Sequence, residues 1–449
     1  MLIINALIDD RVCDVRFGRR IEAIGSLKAI QGESSVDAAG ARLLPGLHDH
    51  HVHLRASAAR RQSIDISGVT SLDELSVEVQ RVPGKGWIRC VGYRADRLGE
   101  LDRLCLDDVC LERPIRVQHN SGKMWVVNSC AIERLSIEPG SHGGVEVNDG
   151  QMTGRFFRMD DWLDDHLPRA ELDLNAVIDE LVSYGITSVT DTSYTNDAQG
   201  EKALNNLRHA SGERFSVRVM GDESLVQGGQ LKIVLDEDAL PDPDVLVERV
   251  RRAHEADRGV AFHCVSRVEL LIAMEAFKST AHHPHDRLEH GALIGADLIK
   301  PLRDLGIPVV TQPGFISDRG EQFRSTVRPD EIVDLYRYKS LLDAGIVVIA
   351  SSDAPYGPTN PWICQATAQD RQTEIGKSLN IAECVTAEEA LAGYLLTDDL
   401  HRERTIDIDE TANLCLMAKG VGLDNEHHMP SDVWLNGCRV VVGANPGAT

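Results

Sequence analysis

The chain has 449 residues, 42% of them hydrophobic, and a formal net charge of −23 at pH 7. This length suits two or three domains, or one large barrel with additions. The negative charge disfavours nucleic acids and anionic membranes as partners, because phosphate groups are bound mainly by Lys and Arg. No apolar run reaches the roughly 18 residues that a membrane span needs, so we expect no membrane partner.

The amino terminus and the cysteines indicate the compartment. The first ten residues lack a basic segment and soon turn acidic, which favours a first strand over a signal peptide. Ten cysteines are spread from Cys13 to Cys438 without a Cys-x-x-Cys pair, as is typical of reduced thiols. We therefore expect a cytoplasmic protein.

The two ends of the chain are similar in pattern. Residues 1–44 alternate between polar and apolar residues like strands, and residues 403–449 do the same. Within the second segment, Asn436-Gly437 is typical of a tight hairpin. These flanks are predicted to pair as a small β-sandwich.

A histidine-rich run follows the first flank. Residues 43–54 read Leu-Leu-Pro-Gly-Leu-His-Asp-His-His-Val-His-Leu. His51 and His53 are two residues apart, so on a strand their imidazoles point to the same face and can share a metal ion. His48 and His50 belong to the same run, and we expect them to pack near the site.

A long stretch separates this first predicted strand from the next one. It contains short strands and Gly-rich turns. We interpret about residues 60–165 as an inserted α+β subdomain, of a kind that often shapes a substrate pocket.

A local pattern then repeats through the second half. A helical stretch ends in Gly and an apolar strand follows at once, at Gly185, Gly259, Gly306 and Gly345. Such alternation predicts a parallel sheet. With the histidine-rich strand, eight strands are predicted, at residues 47–53, 186–191, 215–221, 230–236, 259–265, 286–290, 307–312 and 346–352.

Eight such units predict the α/β class and a (β/α)₈ TIM barrel over residues 45–402. In these barrels the catalytic groups lie at the carboxyl ends of the strands. His263, His290 and Asp353 fall at or near such ends, and so does His53. An open doubly wound sheet is the structural alternative.

Seven motifs carry a resemblance to a known family: Pro-Gly-Leu-His-Asp-His-His-Val-His, Gln-Leu-Lys-Ile-Val-Leu-Asp, Phe-His-Cys-Val-Ser-Arg, Arg-Leu-Glu-His, Val-Val-Thr-Gln-Pro, Ser-Ser-Asp-Ala-Pro and Trp-Val-Val-Asn-Ser-Cys-Ala-Ile. On these motifs the chain resembles the amidohydrolase superfamily, in the branch of YtcJ-like and N-substituted formamide deformylase-like metal-dependent hydrolases. The resemblance covers nearly the full length. It implies a metal-bearing barrel with a β-sandwich from both termini.

The resemblance also implies a binuclear metal site. It adds Lys232, which is carboxylated in many binuclear relatives and bridges two metals. A buried lysine has a depressed pKa, so its neutral amine can capture carbon dioxide. A salt-bridged, unmodified lysine is the alternative. The implied cofactor is two zinc ions, with manganese or iron accepted by the same ligands. The implied ligands are His51, His53, Asp353 and Lys232 for one metal, and His263, His290 and Lys232 for the other.

The implied reaction is hydrolysis of an amide-type C–N bond in a small molecule by metal-bound hydroxide. Asp353 is both ligand and catalytic proton shuttle. Hydrolysis of an ester, a lactone or a cyclic amide on the same site is the alternative, and a non-catalytic binding barrel is a weaker one. Because members of the family often form dimers, a homodimer is an expected state.

The chain departs from the family pattern at a few positions. Deaminases of the superfamily usually carry Glu three residues after the histidine of the fifth strand, whereas this chain has Ser266, which argues against a deaminase. Lys123 stands where many relatives have His. His119 is a candidate replacement in the pocket, and packing alone is the alternative. Aromatic walls with few polar groups suit a small, partly apolar substrate. For the two tryptophans among the pocket candidates, simple core packing is the alternative. The predicted substrate-binding residues are His119, Trp125, Gln312, Tyr356 and Trp362.

Overall fold

The computed structural model describes residues 1–168, 171–225, 228–400, 402–418 and 429–440. The chain forms two compact units, one of residues 1–54 and 174–449 and the other of residues 55–173. Parts of the predicted carboxy-terminal flank, residues 419–428 and 441–449, lie outside the described residues. Within the described ranges, no helix combines the length and the hydropathy needed to cross a bilayer.

The amino-terminal segment forms short strands. Strands β1 to β4 form one sheet in the order β3-β2-β1-β4. Their alternating burial explains the polar–apolar pattern of the sequence. The five strands of this segment are β1 (Leu2–Ile8), β2 (Arg11–Phe17), β3 (Ile21–Gly25), β4 (Ser35–Asp37) and β5 (Leu43–Pro45).

The histidine-rich run forms β6 (Leu47–Val52), in which every residue is buried. Helix α1 (Leu54–Arg61) follows directly. A strand buried on both faces reads as a continuous rather than an alternating run, which is typical of parallel sheets.

Residues 55–173 form the second unit, which holds a six-stranded sheet in the order β11-β12-β10-β9-β8-β7. Apolar side chains pack on the sheet in two clusters. Its strands are β7 (Ile64–Asp65), β8 (Ile88–Tyr93), β9 (Ile115–His119), β10 (Met124–Val127), β11 (Val145–Asn148) and β12 (Gln151–Phe157). Its further helices are α2 (Leu72–Gln80), α3 (Ala95–Leu98), α4 (Arg103–Val109), α5 (Ser129–Leu135) and α6 (Asp160–His166).

Strands and helices alternate from residue 174 onward. The strands are β13 (Ile186–Asp191), β14 (Ser216–Val219), β15 (Leu231–Val234), β16 (Val260–Cys264), β17 (Arg287–His290), β18 (Val309–Thr311) and β19 (Val348–Ala350). The helices are α7 (Leu174–Ser183), α8 (Ala198–Leu204), α9 (Pro243–Glu255), α10 (Arg267–Lys278), α11 (Ala296–Leu305), α12 (Gly314–Thr326), α13 (Lys339–Asp343), α14 (Pro361–Asp370) and α15 (Ala387–Ala392). Together with β6, each of these strands lies inside its predicted segment.

The eight strands pair in parallel, as β14-β13-β6 and β15-β16-β17-β18-β19. Backbone hydrogen bonds also link the outer strands of the two sheets. The amide of Lys232 donates to the oxygen of Gly221 at 2.9 Å, and the amide of Asp353 donates to the oxygen of His51 at 2.8 Å. The spatial order follows the chain, without the reversal that defines a doubly wound sheet.

Three of the four predicted helix-ending glycines have positive φ: Gly185, Gly306 and Gly345. The fourth, Gly259, serves another purpose. A Cβ there would lie 2.5 Å from the backbone oxygen of His285, so the close approach of two backbones requires glycine.

The last strands complete a second small sheet. They are β20 (Leu414–Met417), β21 (Pro430–Leu435) and β22 (Cys438–Val440), in the order β22-β21-β20-β5. Asn436 and Gly437 both have positive φ in the turn between β21 and β22, as the tight hairpin requires. Apolar residues of both small sheets share one core, where the rings of Phe17 and Trp434 meet edge to face at 5.9 Å.

Candidate metal centre

Three predicted ligands meet at the carboxyl ends of strands β6 and β19. His51 Nε2 lies 3.3 Å from Asp353 Oδ1, and His53 Nε2 lies 3.1 Å from the same oxygen. These ligand atoms all lie within 4.8 Å of one another. Ligand atoms bonded to one Zn²⁺ at about 2.0–2.2 Å have separations near these values. Asp353 Oδ1 is buried beside these two imidazole nitrogens, a surrounding that fits an oxygen that binds a cation.

The backbone is strained at two of the predicted ligands. His290 has φ of 68° and Asp353 has φ of 53°. Left-handed conformations are uncommon for residues other than glycine, and such strain collects at functional sites. Here it turns each side chain at the end of its strand.

Three histidines have an acceptor on Nδ1. His51 Nδ1 bonds Glu289 Oε2 at 2.6 Å, and His53 Nδ1 pairs with Ser193 Oγ at 3.1 Å. His290 Nδ1 bonds Gln312 Oε1 at 2.8 Å. Each contact favours the tautomer in which Nε2 keeps its lone pair, as metal-binding histidines need.

Glu289 has a role that the sequence analysis missed. Besides His51, its carboxylate accepts a hydrogen bond from Arg287 Nε at 2.6 Å. Both Arg287 and Glu289 are fully buried. Burial alone would raise the pKa of Glu289, but Arg287 and then Lys232 hold it well below its ordinary value. The ionised carboxylate therefore orients the His51 ring. The Arg-Leu-Glu-His motif contained both residues, but nothing in it pointed to His51.

Lys232 lies in β15 beside this carboxylate. Its Nζ is 3.9 Å from Glu289 Oε1 and is buried without a hydrogen-bond partner. Burial lowers the pKa of Lys232 to about 8, against the opposing effect of Glu289. A buried amine with a depressed pKa and no hydrogen-bond acceptor has the properties that carboxylation requires.

His263 and His290 form the other half of the cluster. Their ring centroids are 4.4 Å apart, and the rings of His51 and His290 are 4.8 Å apart. Burial lowers the pKa of His290 to about 3 and that of His263 well below its ordinary value. Both imidazoles are thus neutral near pH 7, which is the form that binds a metal.

Two of the predicted substrate residues lie beside the ligands. The ring of Tyr356 is 5.5 Å from that of His53. Gln312 is fully buried, and its amide nitrogen donates to Ser351 Oγ at 2.9 Å, which turns its oxygen toward His290. Gln312 therefore positions His290, a predicted ligand, and substrate contact by Gln312 stays a prediction.

The other predicted substrate residues are engaged elsewhere. Trp362 is buried and its Nε1 donates to the oxygen of Tyr184 at 3.1 Å. Trp125 is buried in the unit of residues 55–173, and its Nε1 donates to Asp160 Oδ1 at 2.8 Å. Both tryptophans thus have the core packing that was the alternative. His119, in the same unit as Trp125, pairs through Nδ1 with Ser121 Oγ at 2.8 Å. Substrate contact by these three residues stays a prediction.

The remaining residues of the motifs have structural contacts. His48 is fully buried and bonds Ser188 Oγ at 2.7 Å and Thr190 Oγ1 at 2.9 Å. Ser266 caps α10 in a capping box with Glu269. The residue at the deaminase position therefore has a structural function here. Its Ser-x-x-Glu spacing is visible in the sequence.

Comparison with known proteins identifies the family. The sequence model of the family described as "Amidohydrolase family" matches residues 35–395, which is more than half of the chain. The chain belongs to this family. The resemblance drawn from its motifs is thereby confirmed, and the chain is a hydrolase of the amidohydrolase type.

Two characterised or named proteins and one solved structure are similar to the chain. The chain is 26% identical to N-substituted formamide deformylase of Arthrobacter pascens, with 93% of each chain covered. It is 25% identical to the putative amidohydrolase YtcJ of Bacillus subtilis (strain 168), with 79% of each covered. An uncharacterised metal-dependent hydrolase from Pyrococcus horikoshii OT3 superposes with a TM-score of 0.75 at 19% identity, with 95% of this chain and 99% of that one covered.

Proposed function

We propose that this hydrolase is a metal-dependent amidohydrolase that cleaves an amide-type C–N bond of a small molecule with an activated water. The observation that carries the proposal is the convergence of His51 Nε2, His53 Nε2 and Asp353 Oδ1 within 4.8 Å. The relative from Arthrobacter pascens, whose name states that it deformylates N-substituted formamides, supports an amide as the substrate.

The proposed scaffold is a closed (β/α)₈ barrel over residues 45–402, with an inserted subdomain and a β-sandwich from residues 1–44 and 403–449. The hydrogen bonds at both outer edges of the two parallel sheets support closure. The division at residues 55–173 supports an insert slightly longer than the predicted 60–165.

The residues present fit two divalent cations, for which we propose zinc. His51, His53 and Asp353 would hold one, and His263 and His290 the other. Carboxylated Lys232 would serve both, and its unpartnered Nζ and low pKa support that modification. When bound, the cations polarise the substrate carbonyl and lower the pKa of a water toward about 7.

Asp353 is the proposed catalytic base and acid. Burial alone would raise the pKa of Asp353, but His51 holds it well below its ordinary value, so the side chain enters the reaction as a carboxylate. It can then accept the proton of the attacking water and pass it to the leaving nitrogen. A protonated amine is a far better leaving group than an amide anion, so this transfer is what an amide substrate demands.

We also propose a cellular location and an oligomeric state for the protein. All ten cysteines, each within the described residues, are free, which supports a reducing, cytoplasmic location. Because members of the family often form dimers, a homodimer is the proposed assembly.

Matched substrates test the reaction. Zinc-loaded protein is given pairs that differ only in the scissile bond, an N-acyl amine and the corresponding ester or lactone. The proposal expects turnover of at least one amide, with the release of an equal amount of amine. Cleavage of the esters with every amide left intact would support the alternative function instead.

A further inference from the structure

Three arginines, Arg218, Arg287 and Arg404, gather around strand β6, and we call them the arginine cluster. Arg287 reaches across from β17 and donates through Nη2 to the backbone oxygen of His50 at 2.8 Å. Arg404 donates through Nη2 to His48 Nδ1 at 3.2 Å. Since the rings of His48 and His50 are only 4.3 Å apart, two guanidinium groups flank one histidine pair.

Arg218 lies on strand β14, near the same histidine pair. It pairs in register with Thr190, whose hydroxyl contacts His48 Nε2 at 2.9 Å. Met220, two residues after Arg218, has its sulfur 3.9 Å from Arg287 Nη2. Because residues two apart on a strand face the same side, Arg218 points toward the side where Met220 meets Arg287.

Two donors of the cluster lack an acceptor. Arg287 is fully buried, yet its Nη1 has no hydrogen-bond partner, and the same holds for the buried Nε of Arg218. A buried donor left unsatisfied costs about 1–3 kcal/mol, and more when the group is charged. Such donors in a native protein call for a water or an ion beside them.

The charge around the cluster favours an anion over a water. The carboxylate of Glu289 binds Arg287 but is shared with His51. Asp398 lies 3.8 Å from Arg218 Nη1 and is half exposed. Among the described residues, no carboxylate lies within ion-pair distance of Arg404. Positive charge therefore exceeds negative charge in this buried region, although the whole chain is strongly acidic.

We propose that the arginine cluster binds one small inorganic anion of halide size, with Arg287 Nη1 and Arg218 Nε as its donors. Guanidinium groups are weakly hydrated and suit buried anions. Arg287, His48 and His50 are fully buried, which favours a single-atom ion over a larger oxyanion. The anion offsets the excess positive charge beside Glu289 and so stabilises the side chains that hold His51. Anion binding at this site does not require the protein to carry out the proposed hydrolysis.

A crystal of the zinc-loaded full chain grown in sodium bromide tests the site directly. The expected result is an anomalous bromine peak within hydrogen-bond reach of Arg287 Nη1 and Arg218 Nε. A map with water alone at that position, or with bromide only on the surface, would overturn the proposal. Neither outcome depends on whether the protein hydrolyses any substrate.

Thermal melting gives an independent measurement in solution. At equal ionic strength, bromide should raise the melting temperature of the wild type above that in gluconate by about 2 °C or more. The Arg218→Gln variant should lose this difference. The Arg103→Gln variant, which alters an arginine of the unit of residues 55–173, should keep it. An equal bromide effect in all three proteins would contradict the proposal, and if Arg218→Gln does not fold, the crystal decides.

Discussion

His51 Nδ1 and Glu289 Oε2 are 2.6 Å apart, and both side chains are buried. The two residues are 238 positions apart in the sequence, on the first and sixth parallel strands. The contact fixes the tautomer and the orientation of a proposed metal ligand, and Arg287 keeps the carboxylate ionised. The proposed metal centre thus depends on a buried chain of contacts that runs across the strands.

Replacing Glu289 by Gln should weaken metal binding. The amide keeps the shape of the side chain but removes the charge that orients His51, and comparable contacts are worth about 10–100-fold in metal affinity. Competition with a chromogenic chelator measures the change. The Glu275→Gln variant, altered at an exposed ion pair with Lys278, is the control and should bind zinc like the wild type. Equal affinities for all three proteins would remove the assigned role of Glu289.

The Asp353→Asn variant should lose about 10²–10⁴-fold in kcat, because an amide cannot carry the proton from the water to the leaving nitrogen. Its rate is measured at saturating zinc, so that a loss of metal affinity is separated from a loss of proton transfer. Asp370→Asn, at an exposed position that ends α14, is the matched control. A variant at position 353 that keeps more than a tenth of the wild-type rate would rule out the shuttle.

Lys232→Ala should lose the cation shared with His263 and His290, and with it nearly all activity. The space left beside Glu289 can accept a short carboxylate in place of the carbamate, so added acetate or propionate should restore part of the rate. Elemental analysis counts the cations before and after rescue. Lys300→Ala, at an exposed helix ion pair, should need no rescue. Full metal content and activity in Lys232→Ala without additives would contradict carboxylation.

Stability at low pH should depend on Glu383. Its carboxylate binds Arg337 at 2.7 Å and the amides of Tyr338 and Ser340 at 3.0 and 2.9 Å. Burial raises its pKa, but these hydrogen bonds outweigh burial and lower the pKa below 4.5. A depressed folded-state pKa adds stability above the unfolded value, and this stability is lost as pH falls through the folded value.

Glu383→Gln should therefore destabilise metal-free protein at pH 7, on the order of 2 kcal/mol. The difference from the wild type should shrink below about pH 4.5. Melting temperatures across pH measure it, with the exposed Glu388→Gln as control. A difference that is constant from pH 7 to pH 3 would show that the charge of Glu383 is irrelevant.

The strands were predictable because their signals are local. Gly306 and Gly345 end helices immediately before apolar β-branched runs. Both the apolar runs and the helix-ending glycines are visible in the sequence. The candidate ligands could then be inferred from the predicted strands, because strand ends meet at one edge of a parallel sheet. Lys232 was the exception, since spacing alone did not reveal it.

The supporting contacts were not predictable, because they join distant positions. No local pattern connects Glu289 with His51, or Gln312 with His290. The pattern around Trp125 was equally consistent with a pocket and with a core, and its tertiary contact with Asp160 could not be predicted from the local sequence. The predicted insert of about residues 60–165 and the compact unit of residues 55–173 begin a few residues apart, because α1 follows β6 without a turn signal that would mark a boundary.

Metal removal tests the central claim most directly. The purified protein is stripped with a chelator, its metal content is verified by elemental analysis, and zinc is then returned in steps while amide hydrolysis is followed. The account predicts that activity falls to background and returns in proportion to the zinc bound, up to two equivalents per chain. Metal-free protein that hydrolyses the same amide at the full rate would contradict it.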